Sequence, residues 1–411
     1  MRINRIDKPE LWRTVSRRYD GVREIVEEVR DGGDQAVLRL TAKFDKAELR
    51  AEELQVPPRE IEASLGVLEP EVVAGLRTAI ANVRTVAEAQ LRDPIPVELP
   101  QGQRVEVTEV PVRRVGLYAP GGEAVYPSTV VMGAVTARVA GVDEIAVCAP
   151  PGPDGRAHPA ILAACVLCEV NEVYRMGGAQ AIAALAYGTE SVPAVDVIAG
   201  PGNVWVQEAK RLVAGDVGID GIAGPSELVV IATQEAEAEL VALDLLAQAE
   251  HGSESLIAAI SPDAGLLDAV ETSLRTLLED RPTVTAEQAS LIKVRDIHAG
   301  LRLAEQIAPE HLELVGTEAE ALADKVRVAG CVFVGAQAGT AFGDYVAGSN
   351  HVLPTGRAAR FQSALSPATF RRRMARVSLP GEAAARLAPA GAALARAEGF
   401  PVHAESMERR A

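Results

Sequence analysis

The chain is 411 residues long, more than one ordinary domain holds, so two or more cores are expected. Hydrophobic residues make up 48% of it but aromatic ones only 3%, so those cores must be built from Ala, Val, Leu and Ile. Helices packed on parallel sheets suit that composition better than an aromatic-rich β-sandwich. The formal net charge of −16 argues against a nucleic-acid partner, which needs a surplus of Lys and Arg on some face.

The chain begins MRINRIDKPELWRTV, without an apolar leader, and nowhere runs 18 apolar residues. Neither secretion nor a membrane partner is therefore expected, and the compartment reads as a reducing cytoplasm. The first hundred residues read as helices. Gly21 to Leu40 and Pro70 to Arg92 space their apolar positions at helical intervals, and Pro94 and Pro96 break the pattern. From Val112 short β-branched runs take over: VRRVGLYAP, EIAVCAP, EVYRMGG, VDVIAGPG and ELVVIA read as strands. Helices begin between them near Ser128, Pro159, Ala179 and Asn203. This alternation implies a parallel sheet with helices on its faces, and ligands in such sheets bind beyond the carboxyl ends of the strands. The loops there carry Gly121-Gly122, Gly177-Gly178 and Gly200-Pro201-Gly202. Cys165 and Cys168 lie in the apolar run ILAACVLCEV and read as two small buried thiols on one helical face; with Cys148 and Cys331 they make no disulfide framework. A second alternating unit follows, with LIAAI, SLIKV, HLELV and GCVFVG as strands. From Ser363 the pattern reads as helical again, with Arg371, Arg372 and Arg373 on a solvated helix face, and the chain ends in a polar tail from Phe400 to Ala411.

Only six histidines are present, at 158, 251, 298, 311, 351 and 403. His251 closes the helical run ELVALDLLAQAEHG, with Gly252 placed as a helix cap, and Gln248 one turn earlier shares its face. Such a pair can reach one cation, although helix ends also attract His for dipole reasons alone. Glu310 and His311 adjoin at the start of a strand-like run. If the strand begins there the two side chains point to opposite faces, unless the turn redirects one. Both are natural general bases near neutral pH, but a surface Glu beside a half-buried His fits the same pattern. Asp344 and His351 lie within GDYVAGSNHVLPT, on either side of Gly348 and Asn350, in a segment too constrained for a plain linker. His403, in FPVHAES, would mean nothing alone. Together, Gln248, His251, Asp344 and His403 offer two imidazoles and two oxygen donors, a mixed set that suits Zn²⁺. No GxGxxG is present, since Asn203 follows Gly202 where the pattern would continue toward a third glycine; the Gly-rich loops could still cradle a pyrophosphate at helix N-termini.

At these residues the chain resembles the histidinol dehydrogenase family. The likeness is carried in order by RRVGLYAPGG, YRMGGAQAIAALAYG, AGPGNVWVQEAKR, AGPSELVVIA, LLAQAEHG, IAPEHLEL, GDYVAGSNHVLPT and FPVH. Ser349 departs from a frequent Thr. The resemblance implies one Zn²⁺ per subunit on Gln248, His251, Asp344 and His403, and a catalytic pair in Glu310 and His311. It implies substrate contacts from Ser226, His351 and Glu398 as well as from His311 and the metal ligands, and NAD contacts from Tyr118, Gln180 and Asn203. It further implies two NAD-linked oxidations of L-histidinol through an enzyme-held aldehyde, in a homodimer whose C-terminal segment completes the partner's site.

The expected fold is therefore α/β, with two Rossmann-like parallel-sheet units, helices on both faces of each, and helical ends. The expected division is an N-terminal arm over 1–12, a discontinuous α/β domain over 13–117 and 227–362 carrying metal and dyad, a second α/β domain over 118–226 on the nucleotide side, and a helical segment over 363–411. Two other functions were weighed. A relative oxidising another amino alcohol or a diol should differ at Ser226 or Glu398, and a zinc-binding scaffold should have lost Glu310 or His311; all four are present.

Overall fold

The computed structural model describes residues 1–6, 21–121 and 125–411, and is an α/β protein built on two parallel sheets. The first has six strands in the order Arg2–Ile6, Gln288–Lys293, Leu256–Ser261, Glu227–Ala232, His311–Val315 and Cys331–Val334, every pair parallel. The second has five, Glu172–Arg175, Glu144–Ala149, Arg114–Tyr118, Val197–Ala199 and Gly218–Ile219, again all parallel. Their apolar runs follow from burial on both faces. Along Arg114–Tyr118, Val115 and Leu117 enter one core with helices Pro70–Glu88, Pro127–Ala140 and Pro159–Leu167, whereas Tyr118 enters the other with helices Val22–Phe44, Gly178–Tyr187 and Val204–Val213. Leu228 and Val230 likewise face one core of the six-stranded sheet, and Val229 and Ile231 face the other.

Several expectations need correction. Residues 2–6 are an edge strand of the six-stranded sheet, and the rest of the expected arm lies outside the described residues, as does Gly122. The helices between residues 22 and 88 bury their apolar faces in the two cores of the five-stranded sheet and not in those of the six-stranded sheet, to whose unit 13–117 was assigned, although Asn82 donates to the Val346 carbonyl. Periodicity marks an apolar face without saying which sheet receives it. Residues 371–378 are not a helix: Arg371–Ser378 pairs antiparallel with Arg104–Pro111, which pairs in turn with Ile95–Glu98. Its arginines make strand contacts, Arg373 and Arg376 reaching Glu109 and Glu106 across the ladder. The terminal residues form helices Gly381–Ala397 and Pro401–Glu408. Cys165 and Cys168 are both buried, and burial pushes both thiols up, Cys168 to about 12, which keeps them inert.

The turn after Val197–Ala199 illustrates how tightly the site end of the five-stranded sheet is drawn. Gly200 has φ +126°, and a Cβ there would lie 2.2 Å from the Tyr118 carbonyl oxygen. Gly200→Ala should cost about 2 kcal/mol or more through strain and backbone overlap. Denaturant unfolding of the full chain checks this, with a midpoint equal to wild type as the contrary result.

Candidate active site

Two adjoining cavities open at the carboxyl end of the five-stranded sheet, one of them reaching the six-stranded sheet. One, of about 740 Å³, is lined by Ser226, His251, Glu310, His311, Asp344 and His351, among others. The other, of about 820 Å³, is lined by Asp45, Tyr118, Gln180, Asn203 and Trp205, among others. Tyr118, Pro120, Gly121 and Asn203 line both, so a molecule in one touches the wall of the other. The five-stranded sheet offers its carboxyl end, as expected. The six-stranded sheet offers its amino end, because Glu227 and His311 are the first residues of their strands. The reversal has a chemical consequence. Backbone N–H groups at strand starts are not all spent on the ladder, and here they are given to buried carboxylates.

The dyad is made by the turn before its strand. Ala308 is left-handed, with φ 56°, and Pro309 follows, so Glu310 folds back beside His311 instead of pointing to the opposite face. Glu310 Oε2 lies 3.6 Å from His311 Nδ1. The same oxygen accepts from the Ser226 hydroxyl at 2.5 Å and from the Glu227 N–H at 3.0 Å. His311 Nδ1 is 3.1 Å from the Glu227 carbonyl, and Nε2 is 3.6 Å from Asp344 Oδ1. Burial raises Glu310 above the ordinary carboxylate range, and its donors and His311 only partly offset this. Burial would lower His311, but Glu310 and Asp344 outweigh it and carry the imidazole to about 9.

The metal candidates converge in part. Helix Ala238–Ala249 carries Gln248, which is buried; it ends before His251, so Gly252 is not its cap. Gln248 Nε2 donates to Ser226 Oγ at 2.6 Å, leaving Oε1 buried without a hydrogen-bond partner among the described residues. An orphaned buried amide oxygen costs free energy unless something electropositive meets it. Asp344, on helix Thr340–Tyr345, would be raised by burial, but its bond to His311 and the charges of His311, His351 and His251 hold it below the ordinary range. That helix is fixed by Glu313, whose Oε1 accepts from the Thr340 N–H at 2.7 Å and its hydroxyl at 2.5 Å. An amide oxygen, a carboxylate and an imidazole thus fit a zinc site. Among the described residues no cluster of three or more His, Cys, Asp or Glu side chains forms one unaided. His403 and Glu398 are exposed on the C-terminal helices and do not line the cleft of their own chain. His351 lines it, with Nδ1 bonded to the Asp344 carbonyl at 2.8 Å and Nε2 to Thr129 Oγ1 at 3.3 Å.

On the other side, Asn203 Oδ1 caps helix Val204–Val213 by accepting from the N–H groups of Trp205 and Val206. The Tyr118 hydroxyl accepts from the Gly178 N–H at 3.0 Å, and Gln180 donates to Asp45 at 3.1 Å. Burial lifts Asp45 to about 6. Sequence reasoning missed Asp45, Glu227 and the buried Lys210–Asp220 pair that holds Gly200 from both sides. Lys210 had a faint signal, its place in the AGPGNVWVQEAKR motif; Glu227 and Asp45 had none.

The site also sets a pH limit on stability. Burial and the neighbouring Asp244 raise Glu313 from the ordinary 4.5 to about 8. A raised carboxyl binds its proton more tightly folded than unfolded, so its contribution is full below about 4.5 and lost as pH climbs toward 8. The Tm should therefore fall between about pH 4.5 and 8, and less steeply in Glu313→Gln; parallel curves for the two proteins would refute the assignment.

Two parallel sheets closing on an acid–imidazole pair, beside a second cavity rimmed by glycine loops and helix N-termini, define an α/β oxidoreductase. The profile of the histidinol dehydrogenase family matches residues 13–411. Curated histidinol dehydrogenases from a Synechococcus strain and from Gluconobacter oxydans are 44% and 42% identical, over 98% and 95% of this chain and 96% and 92% of theirs. The crystal structure of histidinol dehydrogenase from Elizabethkingia anophelis superposes with a TM-score of 0.93 at 31% identity, covering 100% of this chain and 98% of that one. The chain belongs to the histidinol dehydrogenase family.

Proposed function

We propose that the protein oxidises L-histidinol to L-histidine in two NAD-linked steps, as a cytoplasmic zinc enzyme of histidine biosynthesis. The observation that carries this reading is the Glu310–His311 pair buried beside an orphaned amide oxygen in a cleft continuous with a second, loop-lined cavity. Gln248, His251 and Asp344 would hold the zinc ion, which supplies a template for the substrate's amine and imidazole and a Lewis acid. Tyr118, Gln180 and Asn203 would hold NAD, which would supply the hydride acceptor for both oxidations.

In the first step His311 takes the alcohol proton as the carbon loses hydride, giving the aldehyde. Glu310 then takes a proton from water as its oxygen adds to that aldehyde, while protonated His311 gives its proton to the carbonyl oxygen, yielding the hydrate and the free base again. His311 takes a hydrate hydroxyl proton as the second hydride leaves, giving the carboxylic acid. Glu310 and Asp344 both raise His311, and since Asp344 is itself a candidate ligand, a metal bound there would draw the imidazole back toward the range where it serves as a base. Ser226 and His351 line the substrate's end of the cleft.

The remaining contacts, Glu398 and His403, come from a partner subunit in a homodimer. Two observations support this. Neither residue lines its own chain's cleft, and the segments that carry them expose large apolar side chains, with Leu394 66%, Phe400 53% and Val402 73% exposed.

His311→Ala should keep its zinc and lose about 10²- to 10⁴-fold in kcat. Metal analysis with histidinol turnover checks this, and loss of metal would mean that His311 is a ligand instead. Mixing inactive Asp344→Asn subunits with inactive His403→Ala subunits should restore activity, since a hybrid then has one intact site. No recovery on subunit exchange would place His403 in its own chain's site.

A further inference from the structure

Glu227 spends all its polar groups on the dyad and the loop beside it. Its N–H donates to Glu310 Oε2 at 3.0 Å, and its own Oε2 accepts the Glu310 N–H at 3.2 Å, so the two glutamates hold each other reciprocally. Its carbonyl takes His311 Nδ1 at 3.1 Å, and its Oε1 accepts the Gly356 N–H at 3.2 Å. Gly356 follows Thr355, whose hydroxyl accepts the Gly224 N–H, so the loop after His351 is tied to the same point. The residue is 7% exposed, its carboxyl is bonded to backbone N–H groups, and the charge of His311 offsets its burial only in part. Burial and the nearby Glu310 raise it to about 8. A second buried carboxyl against the first is an expensive arrangement if stability alone is served.

We infer that Glu227 is a positioning residue for the oxidation, whose side chain fixes the Glu310 backbone and the Gly356 loop together and so sets where the Glu310 carboxylate and the His311 ring stand. The inference rests on the dyad reading proposed above. The Pro309–Glu310 peptide gives its N–H to the Glu227 carboxylate, and the Glu310 carbonyl accepts from the Cys331 N–H, so Glu227 restrains the chain where it enters the dyad. The Glu227 carboxylate has the length to reach both N–H groups at once, and a shorter side chain does not. Reach, more than charge, is the property it supplies.

The test uses the full-length, zinc-loaded enzyme. Glu227→Ala should lower kcat about 100-fold, the scale of a small misplacement of reacting groups, with KM for histidinol and bound zinc within about threefold of wild type. Glu227→Gln, of equal length, should recover kcat to within about tenfold of wild type. A kcat for the Ala variant within about threefold of wild type, or equal losses in Ala and Gln, overturns the inference; so does a kcat loss matched by loss of zinc or a rise in KM. If the Ala variant does not fold, Glu227→Asp replaces it: the charge is kept one carbon short, and its kcat should fall below that of Gln. Asp above Gln would mean that charge matters and reach does not. Glu310→Gln and His311→Ala are the controls, since full activity in either would fail the dyad reading itself, whatever Glu227 does.

Discussion

A carboxylate can be taken out of water only if donors are brought to it, and the active-site end of this molecule is arranged around that requirement at Glu310. Its donors come from the Ser226 hydroxyl and the Glu227 backbone, both at the start of one central strand. The neighbouring strand supplies His311, and the two strands are in register, His311 opposite Leu228. Strand order, strand start and turn must all be right for one side chain to stay ionisable inside the protein. The amino end of the six-stranded sheet meets the need because ladder bonds begin one residue later, leaving N–H groups to give.

That arrangement divides the work between the two sheets. The five-stranded sheet brings glycine turns and helix N-termini, which are fixed partial positive charges suited to a phosphate-bearing ligand. The six-stranded sheet brings carboxylates, imidazoles and a buried amide. Tyr118, at the end of one sheet, faces the chemistry assembled at the start of the other. The two kinds of ligand therefore meet along a seam and need not compete for one pocket.

Much of this was legible in the residues. Strands buried on both faces must be apolar throughout, so every expected strand between Val112 and Val334 is present. Glu310 and His311 could be singled out because an acid and an imidazole open an apolar run. What escaped was whatever depends on position in space. RRRMARVS alternates charge and apolar character over too short a stretch to show its period, and its partner lies some 265 residues earlier, as with Arg373 and Glu109. The helices before residue 90 announce an apolar face but not the sheet they cover. Glu227 reads only as the first residue of a strand, and Asp45 as a polar residue after a helix. The left-handed Ala308 that turns Glu310 back has no glycine to mark it.

The amide of Gln248 has two nearly identical settings, and rotation by half a turn exchanges a donor for an acceptor at almost no steric cost. Nothing in its own geometry selects one. The selection is made two residues away in space. Glu310 takes the only proton Ser226 can give, Ser226 is left able only to receive, and Gln248 must then turn its nitrogen to Ser226 and its oxygen away from it. The polarity of a buried amide is thus written by a carboxylate it does not touch, through a single hydroxyl acting as a one-way valve.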